Sequence, residues 1–332
     1  MLFFLLASFV LVSAQGKLGG VEFSSNEIKV LVVDLKSKET RDFRYRNNWQ
    51  QKIKGENEVD SLKVKLLEGL KLSINKLLLE NGVAKDKIYL MGSKSSFDDL
   101  EYKLLNKKNI EGLKHPIKIF NEYEKSYFLL DGLFKGSNQN NGFLINLDKF
   151  DSYFTEFDFR DVKNTKHISY SLNKCGFESV NQIVRNDFSN LTEGSKCNVA
   201  AESFYYQIQD IYKKFPNLSK IENIYLTGDA AWAFFVLYNG GVVNSDFNEI
   251  KLDEVIKHQQ NLDRNFSRYQ ILATSSVESE KVLNMYTQKE LLAKNALLLQ
   301  FLNQIQNISL KKIYYCKNNN KATLLSYLIN SN

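Results

Sequence analysis

The chain has 332 residues, a formal net charge of +6, a hydrophobic share of 43% and an aromatic share of 13%. This length suits two packed lobes better than one core, and the apolar share excludes a disordered or low-complexity chain. The modest positive charge favours an anionic partner without giving any specific nucleic-acid signal. Three cysteines with no C-x-x-C spacing and three scattered histidines (His115, His167 and His258) leave no visible zinc, redox or Ser/His/Asp motif.

Residues 1–14, MLFFLLASFVLVSA, form an apolar stretch of leader length. It ends on small residues that suit cleavage after Ala14 and is too short for a comfortable membrane span. The mature chain is expected to be periplasmic or secreted, with no membrane span once the leader is removed. In an oxidising compartment Cys175 and Cys197 can pair, leaving Cys316 free. Four Asn-x-Ser/Thr sequons begin at Asn190, Asn217, Asn265 and Asn307.

After a polar lead-in, 29–34 and 40–46 read as a hairpin, and 58–82 as a long amphipathic helix stopped by Asn81-Gly82. Further strands are predicted at 87–91 and 116–120, and helices at 97–109 and 121–135. The Gly/Ser/Asn loop 136–142 is the best linker in the chain. Beyond it, strands are predicted at 143–147, 152–159, 166–172, 223–227 and 311–316. Helices are predicted at 177–185, 200–215, 229–238, 252–263, 278–306 and 322–329. Each half opens with a strand–turn–strand, 28–46 in the first and 142–161 in the second, which reads as a weak internal duplication. The expectation is an α/β protein with an N-terminal lobe over 20–137, a C-terminal lobe over 138–332 and a central cleft.

Ligands of such folds gather at the carboxyl ends of strands. Three turns are candidates: Asp34–Glu39, Asn146–Asp151 and Thr227–Ala231. Asp34 and Asp148 would hold Mg²⁺ through oxygen ligands. Ser37 would donate to a phosphate, and the helix start at Gly228 and Asp229 would bind an anion. Each also has a plain alternative, as a turn carboxylate or a helix cap.

These turns resemble the exopolyphosphatase and guanosine-pentaphosphate phosphohydrolase family of the actin–hexokinase–Hsp70 (ribonuclease H-like) fold. The family's Asp-Ile-Gly-Ser-Asn-Ser is similar to Asp34-Leu35-Lys36-Ser37-Lys38-Glu39. Its Thr-Ser-Ala-x-Arg after a strand looks like 90–95, Leu-Met-Gly-Ser-Lys-Ser. Its Glu-Glu-Ala helix, with a glycine seven residues after the second Glu, looks like Glu122-Tyr-Glu124, with Gly132 eight residues after Glu124 and so one step out of register. Its Asp-Ile-Gly-Gly-Gly-Ser-Thr-Glu falls on Asn146-Leu147-Asp148-Lys149-Phe150-Asp151, and its Gly-Gly-Thr-Ala on Thr227-Gly228-Asp229-Ala230. The resemblance implies two duplicated actin-like lobes with mixed sheets, with Glu124 as base for the attacking water and Glu122 as its neighbour. It also implies Mg²⁺ as cofactor if the chain is active, and otherwise none.

Most of the glycines that let backbone N–H groups approach phosphate are gone, replaced by Lys36, Asp148, Lys149 and Phe150. The leading expectation is therefore an exported, degenerate member that works as a non-catalytic binding or scaffolding module for a protein or anionic ligand. The alternative is a divergent Mg²⁺-dependent phosphohydrolase of polyphosphate or a phosphate ester, in which Lys36, Lys38 and Lys149 clamp the phosphate.

Overall fold

The lead-in before the expected hairpin is itself a strand. The computed structural model describes residues 16–23, 27–46, 58–94, 105, 113–149, 151–160, 166–172, 174–186, 190–242, 245–318 and 321–332. The expected leader at 1–14, Phe150 and most of the helix expected at 97–109 lie outside them. β1 (Lys17–Phe23) pairs antiparallel with β2 (Glu27–Asp34), which pairs antiparallel with β3 (Thr40–Arg46). β4 (Ile88–Ser93) runs parallel to β1, and β5 (Lys118–Phe120) parallel to β4. The order is β3-β2-β1-β4-β5, so the unexpected strand is the central one.

Two glycines hid it, and packing explains them. A Cβ on Gly19 would meet Val83 at 3.0 Å and Leu77 at 3.3 Å, and one on Gly20 would meet Leu324 at 2.6 Å. The sheet is covered on both faces, so apolar side chains point both ways. On one face Val21, Val30, Val32 and Leu90 pack on Leu70 and Leu77 of α1 (Glu58–Asn81). On the other, Leu18, Leu31, Val33 and Met91 pack on Leu324 and Leu328 of α11 (Ala322–Ser331). α11 is the last helix of the chain, and it is tied down locally. Tyr89 Oη donates to the Ser331 carbonyl, and Asp131 accepts from Ser326 Oγ at 2.6 Å.

By its contacts the chain divides into one unit of Met1–Gly132 with Lys321–Asn332 and another of Leu133–Asn320. This corrects the expected boundaries twice. The closing helix belongs to the first unit, because its apolar face is what covers β1. The division falls inside α2 (Glu122–Phe134) rather than in the glycine-rich loop. Phe134, at the end of α2, packs its ring against Phe157 and Tyr225 of the second unit.

The second unit repeats the first. β6 (Asn141–Leu147), β7 (Ser152–Asp158) and β8 (Lys166–Leu172) form an antiparallel meander. β9 (Asn223–Thr227) and β11 (Lys312–Cys316) continue parallel to β6, and β10 (Phe247–Ile250) adds an antiparallel edge. The order β8-β7-β6-β9-β11 matches β3-β2-β1-β4-β5 strand for strand. The duplication is therefore present but one strand out of register with the expectation. The counterpart of β6–β7 is β1–β2, not the 28–46 hairpin.

The helices follow the expected order with three corrections. The helix expected at 200–215 is two, α4 (Glu193–Glu202) and α5 (Tyr205–Lys214), after α3 (Phe177–Asn186). Past α6 (Gly228–Asn239) and α7 (Leu252–Arg264) comes the unexpected α8 (Ser267–Ala273). The run 278–306 is broken into α9 (Val277–Met285) and α10 (Gln288–Gln304) by a capping box of Thr287 and Glu290. No described helix is long and apolar enough to cross a membrane.

Cys175, Cys197 and Cys316 are all free and buried, which corrects the suggested Cys175–Cys197 pairing. They pack as small apolar side chains, and burial pushes the Cys175 and Cys197 thiols up to about 12.

His258 on α7 is 1% exposed, with Nδ1 2.7 Å from Tyr269 Oη and its ring against Phe234. Desolvation lowers its pKa from 6.5 to about 3. The unfolded chain takes up a proton there that the folded chain does not. Stability is thus complete above about pH 6.5 and is lost as pH falls towards 3. Urea midpoints measured across that range should fall with pH in the native chain and fall less steeply in His258→Gln. Equal slopes would show that His258 does not control acid stability.

Candidate functional site

Asn146, next to last in β6, pairs with Thr227, the last residue of β9, at the carboxyl edge of the second sheet. Gly228 then opens α6 with φ +83°, and its Cβ would lie 2.6 Å from Asn146 Oδ1 and 2.8 Å from the Leu147 carbonyl oxygen. Glycine is required here on both counts, a left-handed turn and a backbone approach with no room for a side chain. Asn146 is 6% exposed, and its Oδ1 has no hydrogen-bond partner among the described residues. A buried, unspent acceptor thus lies against the start of a twelve-residue helix, whose first-turn N–H groups face the same end.

The neighbouring turn is closed by the protein itself. The Asp148 N–H donates to the Asp151 carbonyl at 3.2 Å. The carbonyls of Asp148 and Lys149 accept from the Phe177 and Glu178 N–H groups and so cap α3. Asp151 Oδ1 accepts from the Lys174 N–H at 2.9 Å, and Ser152 Oγ donates to the Cys175 carbonyl. In a phosphate loop the backbone presents amides to a ligand. Here its carbonyls serve a helix.

Lys294, on α10, completes this edge and was not anticipated. Its side chain is 1% exposed, with Nζ 3.9 Å from Asp229 Oδ2. The same nitrogen lies 3.2 Å from the centre of the Phe177 ring and 3.9 Å from that of Tyr286. Two ring faces and a carboxylate surround one ammonium. The available signal was a polar Lys294-Asn295 pair interrupting the apolar run 291–298. Asn295 is also buried, donating to the Val255 carbonyl and to Gln259 Oε1.

The carboxylates along this edge already have protein partners. Asp151 is committed to Lys174, Asp229 faces an ammonium, and no group of three or more acidic, histidine or cysteine residues suited to a metal occurs among the described residues. Asp148 and Lys149 are half-buried on the turn.

The first-unit candidates fall on two different edges of their sheet. Asp34 is paired with Lys17, at the start of β1, and so sits at the end opposite to the carboxyl ends of β1, β4 and β5. Its Oδ1 accepts the Lys36 and Ser37 N–H groups at 2.9 and 3.1 Å, and these two bonds lower its pKa. Ser37 Oγ accepts from the Glu39 N–H, and Lys38 takes the left-handed conformation at φ 61°. Asp34, Lys36 and Ser37 thus form a turn closed on itself, remote from the carboxyl edge of their sheet. The counterpart of 148–151 is the β1–β2 turn at 24–26, outside the described residues.

Glu124 does lie at that carboxyl edge, just after β5, and both its oxygens are engaged. Oε2 accepts from the Asn121 N–H at 3.1 Å, while Asn121 Oδ1 accepts from the Glu124 N–H, a reciprocal cap of α2. Oε1 accepts from Lys118 Nζ at 2.7 Å. Glu122 sits in the first turn of the same helix, half-buried.

No family model matches the sequence, and no curated protein does. Solved structures do match over nearly the whole chain. A Ppx/GppA phosphatase from Aquifex aeolicus, the type II variant, gives a TM-score of 0.61 at 11% identity, covering 94% of this chain and 99% of its own. An exopolyphosphatase from Cytophaga hutchinsonii gives 0.61 at 11%, covering 95% and 98%. An exopolyphosphatase-like protein gives 0.64 at 9%, covering 90% and 93%. Identity this low speaks to fold alone, and with the matching strand order of the two sheets it leads to one conclusion: the chain has the two-lobed, actin-like α/β fold of the Ppx/GppA phosphatase structures.

Proposed function

We propose that this chain is an exported, Ppx/GppA-like module with degenerate phosphate loops that binds or scaffolds a protein or anionic ligand without catalysis. One observation carries the reading. At the carboxyl edge of the second sheet, charge and backbone are compensated internally: Lys294 faces Asp229, Asp151 accepts from the Lys174 backbone N–H, and the Asp148 and Lys149 carbonyls cap α3. A hydrolase needs groups left available for a ligand and for the charge that develops in the transition state. The leader supports export.

A second reading is a divergent phosphohydrolase, with Mg²⁺ as its cofactor and Lys149 as a phosphate clamp. It is favoured by the Asn146–Gly228 cradle, which keeps an unspent acceptor and a helix start.

The test is Mg²⁺-dependent phosphate release from polyphosphate and nucleotides by the mature chain from Gln15. Glu124→Gln runs beside it, since glutamine keeps the α2 capping box and removes the carboxylate base. The expected result is no release by a folded chain. Release that disappears in Glu124→Gln would overturn the non-catalytic reading in favour of the hydrolase.

A further inference from the structure

We infer that Asn217 and Asn307 are N-glycosylation sites, on the face of the second unit opposite to its candidate ligand edge. The inference rests on the export reading above. In a chain this rich in asparagine the sequon alone says little, so placement carries the case. Asn217-Leu-Ser heads the 3₁₀ turn Leu218–Lys220, and Asn307-Ile-Ser heads the 3₁₀ turn Ile308–Leu310. The two turns lead into β9 and β11, which pair in parallel from Asn223 and Lys312. Lys311 Nζ joins them by donating to the carbonyls of Leu218, Ser219 and Ile221. Both asparagines are exposed, and neither side chain caps its turn.

The site edge lies at the other end of the same strands, where Thr227 leads into Gly228. Five residues of β9 at about 3.3 Å each separate the two ends by roughly 15 Å. Glycans at Asn217 and Asn307 would therefore leave Asn146 and Gly228 uncovered. Asn190 and Asn265 are exposed too. Thr192, the hydroxyl residue of the first of these sequons, caps α4, and the inference does not rest on this second pair.

The chemistry uses a lipid-linked oligosaccharide as donor. Asn Nδ2 attacks the sugar C1, the C1–O bond to the lipid pyrophosphate breaks, and the N–C1 bond forms. The pyrophosphate leaves with the bonding electron pair and takes up the proton lost from nitrogen.

To test this, the full chain with its own leader is expressed in a cell with a glycosylating secretory pathway. The secreted product is treated with peptide N-glycosidase and mapped by peptide mass. Asn217→Gln and Asn307→Gln should each remove one mobility step. Asn307 sits at φ 56°, where glutamine adds strain. Ser309→Ala therefore serves as a second variant, deleting the sequon while leaving that residue in place. A secreted, leader-free chain with both asparagines unmodified would overturn the inference alone. A chain retained with its leader intact would overturn export and the inference together.

Discussion

Gly132→Ala is expected to lower the stability of the first unit by about 2 kcal/mol, against the sign that helix propensity alone would give. Gly132 lies inside α2, where replacing glycine with alanine ordinarily gains about 1 kcal/mol. Its Cβ, however, would lie 2.2 Å from the carbonyl oxygen and 2.7 Å from the carbonyl carbon of Ala322, the first residue of α11. No rotamer relieves a clash with backbone. Either α2 or α11 must move, and overpacking of this kind costs about 3 kcal/mol. α11 cannot shift freely, because Asp131 holds Ser326 and Leu324 fills the space above Gly20. Gly69→Ala in α1 is the control, since its Cβ would meet only the end of the Ile28 side chain at 3.2 Å. Urea or thermal denaturation of both variants should show Gly132→Ala destabilised and Gly69→Ala unchanged or improved. A Gly132→Ala chain as stable as the parent would show that the close approach is not maintained in solution.

Lys294→Ala is expected to cost more, about 3 kcal/mol or above. The lower end of the range for breaking a buried ion pair applies, because Asp229 retains the first turn of α6 and its side chain is 14% exposed. The alanine also empties the space between the Phe177 and Tyr286 rings. Lys294→Met separates the two contributions, keeping most of the stem against the rings and removing only the charge. It should fall between the parent and Lys294→Ala, and Asp229→Asn in the Lys294→Met background should recover part of the loss. A double-mutant cycle measured by urea denaturation gives the coupling directly. If Lys294→Met matches the parent and the cycle closes near zero, the pair contributes nothing. The compensated edge that supports a non-catalytic function would then lose its main element.

How much of this was legible beforehand differs by residue. β6, β7 and β9 announce themselves as apolar runs bounded by polar turns, and α6 follows from its unbroken apolar stretch after Gly228. β1 was hidden because its glycines answer to α1 and α11, which are distant in sequence. With the central strand missing, the duplication shifted by one strand. Asp34 was then matched to the turn at 146–151, whereas its pairing with Lys17 puts it at the opposite edge of its sheet. Glu124 came only from the resemblance to the family's Glu-Glu-Ala helix, and its place just after β5 was not read from the sequence. Its capping bond to Asn121 was readable from the three-residue spacing, while its bond to Lys118 was not. Lys294 could be noticed only as an oddity in an apolar helix. Its partners Phe177, Asp229 and Tyr286 come from three other segments.

By itself, then, the sequence determined the alternation of strands and helices, the two-lobed class and the loss of glycine from the turn at 148–151. These follow from local periodicity and from the chemistry of single residues. Only the tertiary structure decided which strand is central, which unit owns the last helix, and which carboxylates are already spent. Those depend on backbone approaches at Gly20, Gly132 and Gly228 and on charge pairs between remote segments, and neither leaves a periodic trace in the chain.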